Sequence, residues 1–111
     1  MKIALLAALA LVAFSSATAA PTWHTSKIKA VYPQANGDVV IVFTENAPTC
    51  LNTSASKYHY VRVGQNSMTE DGLKLIMSAA LAVASAGKSV AVSFDSTTTG
   101  CFINRLWASF D

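Results

Sequence analysis

The 111-residue sequence contains few charged residues, only two cysteines and only three prolines. Asp, Glu, Lys and Arg together make up 13% of it, about half the usual share for a soluble domain, and the formal net charge is +2. This weak charge excludes a strongly basic nucleic-acid binder. The length allows one hydrophobic core, which excludes a multidomain enzyme.

Recognisable catalytic motifs are also lacking. The sequence has no Gly-rich phosphate loop, no HExxH and no GxSxG. The acidic pair Glu70 and Asp71 is explained by helix capping, and Asp95 by turn capping. We expect His59 to be a buried, hydrogen-bonded strand residue rather than a general base. The sequence therefore predicts no enzyme, no catalytic residue, no cofactor and no metal site.

Apolar residues are concentrated in the first 20 positions. Lys2 is followed by an apolar run, Ile3–Phe14, and then by small residues, a pattern typical of a secretory signal peptide. The run is shorter than the roughly 20 residues that span a bilayer, and no second run follows. We expect cleavage after Ala19 rather than Ala20, because the latter would leave Pro21 at the new N terminus. The product would carry a formal charge of +1 and be periplasmic or secreted.

Cys50 and Cys101 are the only cysteines in the sequence. An even number of cysteines in an exported chain predicts a disulfide. A bridge that closes a loop of about 50 residues would contribute on the order of 4 kcal/mol to the free energy of unfolding. The alternative is a pair of reactive or metal-binding thiols, but neither a CxxC spacing nor a nearby histidine supports it.

The rest of the chain predicts a flexible tail at 20–26, which contains His24, and one domain at 27–111. The order of its elements is β-β-β-α-β-β. The predicted strands are Lys27–Tyr32, Asp38–Thr44, Lys57–Val63, Ser89–Asp95 and Phe102–Phe110. Because the second strand is apolar on both faces, we favour an OB-fold-like five-stranded barrel, mainly β with one helix. An α+β sandwich with an open sheet is the alternative.

The helix has the clearest local signals. It is predicted to begin either with a capping box from Ser67 to Glu70 or at Thr69, and to end at Gly87. Its predicted core stripe is Leu73, Ile76, Met77, Ala80, Leu81 and Ala84. Its other faces are also apolar, at Leu75, Ala79, Ala82, Val83 and Ala86. Such a helix is normally covered on more than one side. It is either sunk into the mouth of a barrel or buried in a homo-oligomer, and we favour the second.

Two strand faces combine aromatic rings with arginine. Alternation in the third strand places Tyr58, Tyr60 and Arg62 on one face, and His59, Val61 and Val63 on the other. In the last strand it places Phe102, Leu106, Ala108 and Phe110 on one face, and Ile103, Arg105 and Trp107 on the other. Exposed residues of this kind can stack on a sugar ring or an unpaired base. The alternative is that one set packs under the helix or in a subunit contact.

Three segments, at 68–72, 86–90 and 101–106, resemble a group of small, uncharacterised bacterial secreted proteins, and the likeness spans residues 27–110. The passage from the helix through Gly87 and Lys88 into the next strand is similar in topology to the B subunits of subtilase-cytotoxin-like AB5 toxins. Those subunits are OB-fold proteins that assemble as rings and bind cell-surface glycans. The resemblance implies a homo-oligomer whose helices face one another. No glycan-contacting motif matches, so it assigns no binding residue.

The sequence as a whole predicts an exported, disulfide-bridged binding or interaction module, with a glycan or a protein as its partner. The candidate ligand-binding residues are Tyr58, Tyr60, Arg62, Arg105 and Trp107. We expect no nucleic-acid partner and no membrane span. The alternative function is a structural or accessory envelope protein that has no small-molecule ligand.

Overall fold

A computed structural model of the protein describes residues 21–110; the predicted signal peptide at 1–19 lies outside the described residues. The elements follow the predicted order β-β-β-α-β-β. They are β1 (Thr22–Pro33), β2 (Val39–Phe43), β3 (Tyr58–Val61), α1 (Glu70–Ser85), β4 (Ser89–Phe94) and β5 (Ile103–Ala108). No helix within residues 21–110 is long and apolar enough to cross a membrane.

The strands form one antiparallel sheet in the spatial order β3-β2-β1-β4-β5. A mainly β domain with one helix is therefore confirmed. The sheet is open, because no strand pairing among the described residues joins its edges β3 and β5. The predicted closure into a barrel is thus not confirmed. The edges approach where the Tyr60 N–H donates to the Gly100 carbonyl oxygen over 3.0 Å. Since Gly100 precedes β5 and β3 has only four residues, this contact does not extend into a ladder.

Strand β1 is longer than predicted and belongs to both halves of the sheet. Residues Thr22–Lys27 pair with β4, and Ile28–Pro33 pair with β2, with a register shift around Lys29. The prediction of a flexible tail at 20–26 is therefore wrong from Thr22 onward. The segment has no apolar run to identify it, and it is ordered by pairing with β4, which lies about 70 positions later in the chain.

Strand β2 is buried along its whole length, as its two apolar faces predicted. The buried core joins this strand to the helix, to β4 and to the start of β5; its largest apolar members include Ile41, Phe43, Leu73, Val83, Phe94 and Ile103. In β3, His59 and Val61 point into the core and Tyr58 and Tyr60 point away from it, which confirms the predicted alternation. Val63 lies beyond the end of β3 and is exposed, so it does not share the buried face of His59 and Val61 as the alternation predicted.

A bulge in β5 reverses the predicted sidedness of its first residues. Ile103 pairs with Phe94 and Arg105 pairs with Ser93, so Asn104 is an extra residue in the ladder. Ile103 is therefore buried in the core, although simple alternation placed it with Arg105 and Trp107. Phe102, predicted to share a face with Leu106, instead lies beside Tyr60.

The helix begins and ends at two of its predicted signals. Thr69 is the N-cap, and its hydroxyl oxygen accepts the Gly72 N–H over 3.0 Å; the Ser67 capping box is not used. At the other end Gly87 has φ +67°, a left-handed conformation that glycine adopts without strain. Glu70 and Asp71 occupy the first turn, where the helix dipole favours negative charge.

The helix turns most of its predicted stripe toward the core, since Ile76 and Met77 pack against it half-buried, but Leu81 and Val83 lie on the opposite sides from those predicted. Leu73, Ala80 and Val83 are buried there. Val83 was predicted to contact a partner, but it is 0% exposed and is not available for one. Leu81 was predicted to be in the core and is 45% exposed. Burial follows steps of three and four residues from Leu73 through Ala80 to Val83, which turns Leu81 outward.

Candidate functional site

One groove on the surface is lined by exposed aromatic side chains. It lies between the start of β1, strand β5 and the first half of α1, and its volume is about 430 Å³. We call it the tryptophan groove; its main lining residues are Trp23, Thr69, Leu75, Asn104, Arg105 and Trp107. The predicted ligand residues Arg105 and Trp107 are brought together here.

The sheet register explains how the two indole rings come to share this surface. Trp23 on β1 and Arg105 on β5 both pair with Ser93 of β4, so all three side chains lie in one cross-strand row. Trp107 lies two residues further along β5 and pairs with Ala91 of β4. Because side chains two residues apart share a face, both tryptophans stand on the same face of the sheet, flanking a central strand with small residues.

Sequence reasoning missed Trp23, which it assigned to the tail. The available signal was the segment Trp23–Ser26, where the β-favouring Trp23 and Thr25 alternate with His24 and Ser26. Trp23 is 46% exposed and Trp107 is 68% exposed, and Leu75 across the groove is 72% exposed. Three large apolar side chains therefore meet water around one concavity.

Asn104, the bulge residue of β5, adds a polar group to the groove. Its Nδ2 donates to Asn66 Oδ1 over 3.2 Å, whereas its buried Oδ1 has no hydrogen-bond partner among residues 21–110. Bulges commonly re-aim one side chain beside a binding site.

The second predicted aromatic surface, the tyrosine face, consists of Tyr32, Tyr58, Tyr60, Arg62 and Phe102. Its rings contact one another in series: Tyr32 to Tyr58 at 6.0 Å between centroids, Tyr58 to Tyr60 at 6.3 Å, and Tyr60 to Phe102 at 6.3 Å. The predicted grouping of Tyr58, Tyr60 and Arg62 on one face is therefore correct. Their rings are already engaged with each other.

Arg62 is held in place on this face from two sides. Its Nη2 and Nε atoms each lie 2.8 Å from Oδ2 of Asp38, which is buried. The guanidinium also lies 5.1 Å from the centre of the Tyr60 ring and 5.4 Å from that of Phe102, a cation–π arrangement. The hydrogen bond to Asp38 raises the pKa of Arg62 further above its ordinary value. Arg62 is thus satisfied within the protein.

Cys50 and Cys101 form the predicted disulfide, with 5.6 Å between their Cα atoms. The sequence predicted no histidine near the two cysteines. No histidine is a close neighbour of either in the sequence, but the fold places one beside both. A ring nitrogen of His59 and the two sulfurs all lie within 4.8 Å of one another, and all three residues are buried. The fold thus brings a histidine to the bridge from the next strand.

His59 is buried as predicted, but its ring makes no hydrogen bond of normal geometry with the described residues, the Cys101 backbone being only a weak partner. The ring packs edge-on against Phe94 at 4.7 Å and Phe43 at 5.0 Å, and lies parallel to the His24 ring at 6.4 Å. Burial, aided by the nearby His24, lowers the pKa of His59 to about 4.

The other polar candidates have structural explanations. His24 lies on β1, and its Nε2 is 2.7 Å from the carbonyl oxygen of Glu45. Asp95 accepts hydrogen bonds from both the backbone N–H and the hydroxyl of Thr97, at 2.8 and 2.6 Å, and so closes the turn after β4 as predicted. Neither residue is placed in the tryptophan groove.

The outward side of α1 retains part of the predicted partner surface. Leu75, Ala82 and Ala86 are exposed, and Ala79 is half-buried. Leu81 adds to this surface, while Val83 is lost from it.

Comparison of the chain with protein-family models, with curated proteins and with solved structures finds no match. The resemblances drawn from the sequence therefore stay predictions.

Proposed function

We propose that the protein is an exported, disulfide-bridged binding module whose tryptophan groove binds a glycan. The observation that carries the proposal is the pair of exposed indole rings, Trp23 and Trp107, at one groove. The apolar C–H faces of a sugar ring stack on aromatic rings, while its hydroxyls need hydrogen-bonding partners. The exposed Arg105 guanidinium offers donors at the groove. A volume of about 430 Å³ lies within the range of small-ligand sites.

The charge favours a sugar over a nucleic acid. A strand of phosphates needs several lysines or arginines along its path. Arg105 is the only lysine or arginine among the lining residues of the groove. The formal charge of +2 over the whole chain would give little further attraction.

We interpret the sheet as an OB-like barrel that is open between β3 and β5. The support is the strand order β3-β2-β1-β4-β5, in which the two edge strands are those that would pair in a closed barrel. The Tyr60–Gly100 hydrogen bond and the disulfide both lie near this seam.

The test is a glycan array followed by calorimetry. We expect the protein to bind a defined set of sugars, and Trp107→Ala or Trp23→Ala to weaken binding by at least about tenfold, since each removes a stacking surface. The matched control is Tyr32→Ala, which removes a 44%-exposed ring from the tyrosine face and should leave the affinity unchanged. Silence across the array would favour the alternative, an envelope protein without a small ligand.

We propose in addition that the outward side of α1 contacts a second copy of the chain. The support is the run of exposed apolar residues that one subunit leaves uncovered there, in particular Leu81 and Ala82. Light scattering should give an oligomer mass for the wild type and a smaller mass for Leu81→Lys. Leu81 does not line the groove, so this variant should still bind the sugar. A monomer mass for the wild type would refute self-association.

A further inference from the structure

Cys50, His59 and Cys101 form a buried cluster whose side chains contain atoms that can bind a metal ion. A buried imidazole normally hydrogen-bonds through at least one nitrogen, because leaving a polar atom unpaired in the interior costs about 1–3 kcal/mol. His59 is 1% exposed, and neither of its nitrogens makes a hydrogen bond of normal geometry within residues 21–110, although the Cys101 backbone lies close enough to offset part of the lowering of its pKa by burial. Its neighbours on two sides are the apolar rings of Phe43 and Phe94. Polar groups left unpaired in this way call for an explanation.

The two sulfurs next to His59 supply one. Neutral imidazole and thiolate are the preferred ligands of Zn²⁺, at about 2.0–2.1 Å for nitrogen and about 2.3 Å for sulfur. Those bond lengths place ligand atoms less than about 4 Å apart. In the disulfide form the three ligand atoms already lie within 4.8 Å of one another, and the two cysteine Cα atoms are 5.6 Å apart. On reduction the two sulfurs would have to move apart to the ligand spacing of a zinc site, and the His59 nitrogen would have to approach them, which side-chain shifts of about 1–2 Å achieve.

The charge also balances in this environment. Two thiolates neutralise a divalent cation, and a neutral imidazole adds a third ligand without adding charge. A buried site is costly when it carries net charge, and this one would carry none.

We propose that reduction of the Cys50–Cys101 disulfide converts this cluster into a zinc site, with the two thiolates and the His59 imidazole as ligands. A dithiol reductant supplies two electrons to the S–S bond and is itself oxidised to a disulfide. Its two protons pass to the sulfurs of Cys50 and Cys101, and zinc displaces them to solvent on binding. The same pocket thus holds either a covalent bridge between the loop before β3 and the chain before β5, or a metal bridge that also includes β3 through His59.

The experiment compares oxidised and reduced protein. The bridge is reduced with a phosphine, which takes an oxygen atom from water to become a phosphine oxide and carries no thiol that competes for zinc. Co²⁺ is then added as a spectroscopic probe and displaced with Zn²⁺. We expect the reduced protein to bind one equivalent, with the absorption band of thiolate-to-cobalt charge transfer, and the oxidised protein to bind none. Circular dichroism follows whether zinc restores any sheet structure lost on reduction.

Two histidines on neighbouring strands provide a matched control. His59→Phe should weaken zinc binding at least about 10–100-fold, the effect seen when even an indirect partner of a metal site is lost. His24→Phe removes the parallel ring at 6.4 Å, which is not a proposed ligand, and should leave the zinc affinity unchanged. The proposal is overturned if His59→Phe binds zinc as tightly as the wild type, or if the reduced protein binds no better than a variant without cysteines. Failure of zinc to restore lost sheet structure would also overturn it.

Discussion

The tyrosine face and the tryptophan groove contain the same kinds of side chain in opposite surroundings. Each combines aromatic rings with one arginine on a strand. On the tyrosine face, Arg62 is bonded to buried Asp38 and packs on Tyr60. In the groove, Trp23 and Trp107 meet water beside Arg105. A sequence pattern of rings and arginines therefore identifies candidates, and the presence or absence of internal partners separates a surface packed on itself from one that is open to a ligand.

The largest expected effect separates the two surfaces by stability. Phe102 is 8% exposed, and its ring contacts both Tyr60 and the Arg62 guanidinium. Replacement by alanine should lower the free energy of unfolding by about 3–5 kcal/mol, since it removes a large buried ring and leaves a cavity. Urea denaturation measures the change.

Sugar binding provides the control for Phe102→Ala. The ring does not line the tryptophan groove, so the folded fraction of this variant should bind the sugar with unchanged affinity. A stability loss below about 1 kcal/mol would mean that the tyrosine face is not a packed surface, and the comparison would fail.

The next effect arises beneath the tyrosine face, on the inward side of the same strand. The pKa of His59 is lowered to about 4 in the fold, against about 6.5 in the unfolded chain. The unfolded chain therefore binds the proton more readily, and stability falls as the pH drops below about 6.5. The loss should level off below about pH 4, at about 3 kcal/mol. Urea midpoints between pH 7 and 5 follow its onset, before most carboxylates titrate.

The variant His59→Phe separates the contribution of this histidine to the pH dependence of stability from the contributions of the other titrating groups. The variant should show a smaller fall in stability over the same pH interval. An unchanged slope would assign the acid sensitivity to other residues.

The locally encoded parts of the fold were predictable from the sequence. Thr69 and Gly87 mark the two ends of the helix, and both were predictable because the groups that cap a helix lie within a few residues of its ends. The β-branched run of β2 marked a strand buried on both faces. The disulfide followed from a count of two cysteines in a chain with a predicted export signal.

The parts that depend on a distant partner were not predictable. The start of β1 becomes a strand by pairing with β4, and nothing within the segment itself shows that partner. The extra residue at Asn104 shifts the alternation in β5 and is visible only against the register of β4. His59 reaches the bridge because β3 passes beside Cys101, more than 40 positions away in the sequence. These three long-range contacts create the groove and the cysteine–histidine cluster, so the site was less predictable than the elements that carry it.

A smaller effect tests the ion pair of the tyrosine face. Asp38→Asn keeps the shape of the side chain and removes the charge that faces Arg62. Because the Arg62 side chain is 41% exposed and is screened by solvent, we expect a loss of only about 1 kcal/mol. Thermal or urea unfolding measures it. Sugar binding should not change, and a loss of binding would place Arg62 in the ligand site after all.

The smallest expected change in stability belongs to the residue with the largest expected effect on binding. Trp107 is 68% exposed, so Trp107→Ala should change the free energy of unfolding by no more than about 0.5 kcal/mol. An exposed indole on an edge strand has no evident structural use, and burying its surface against a sugar would give it one. Calorimetry and urea denaturation on the same preparation measure both quantities. A large stability loss would mean that Trp107 packs against the fold or a second copy, as the tyrosines pack against one another, and the distinction between the two surfaces would disappear.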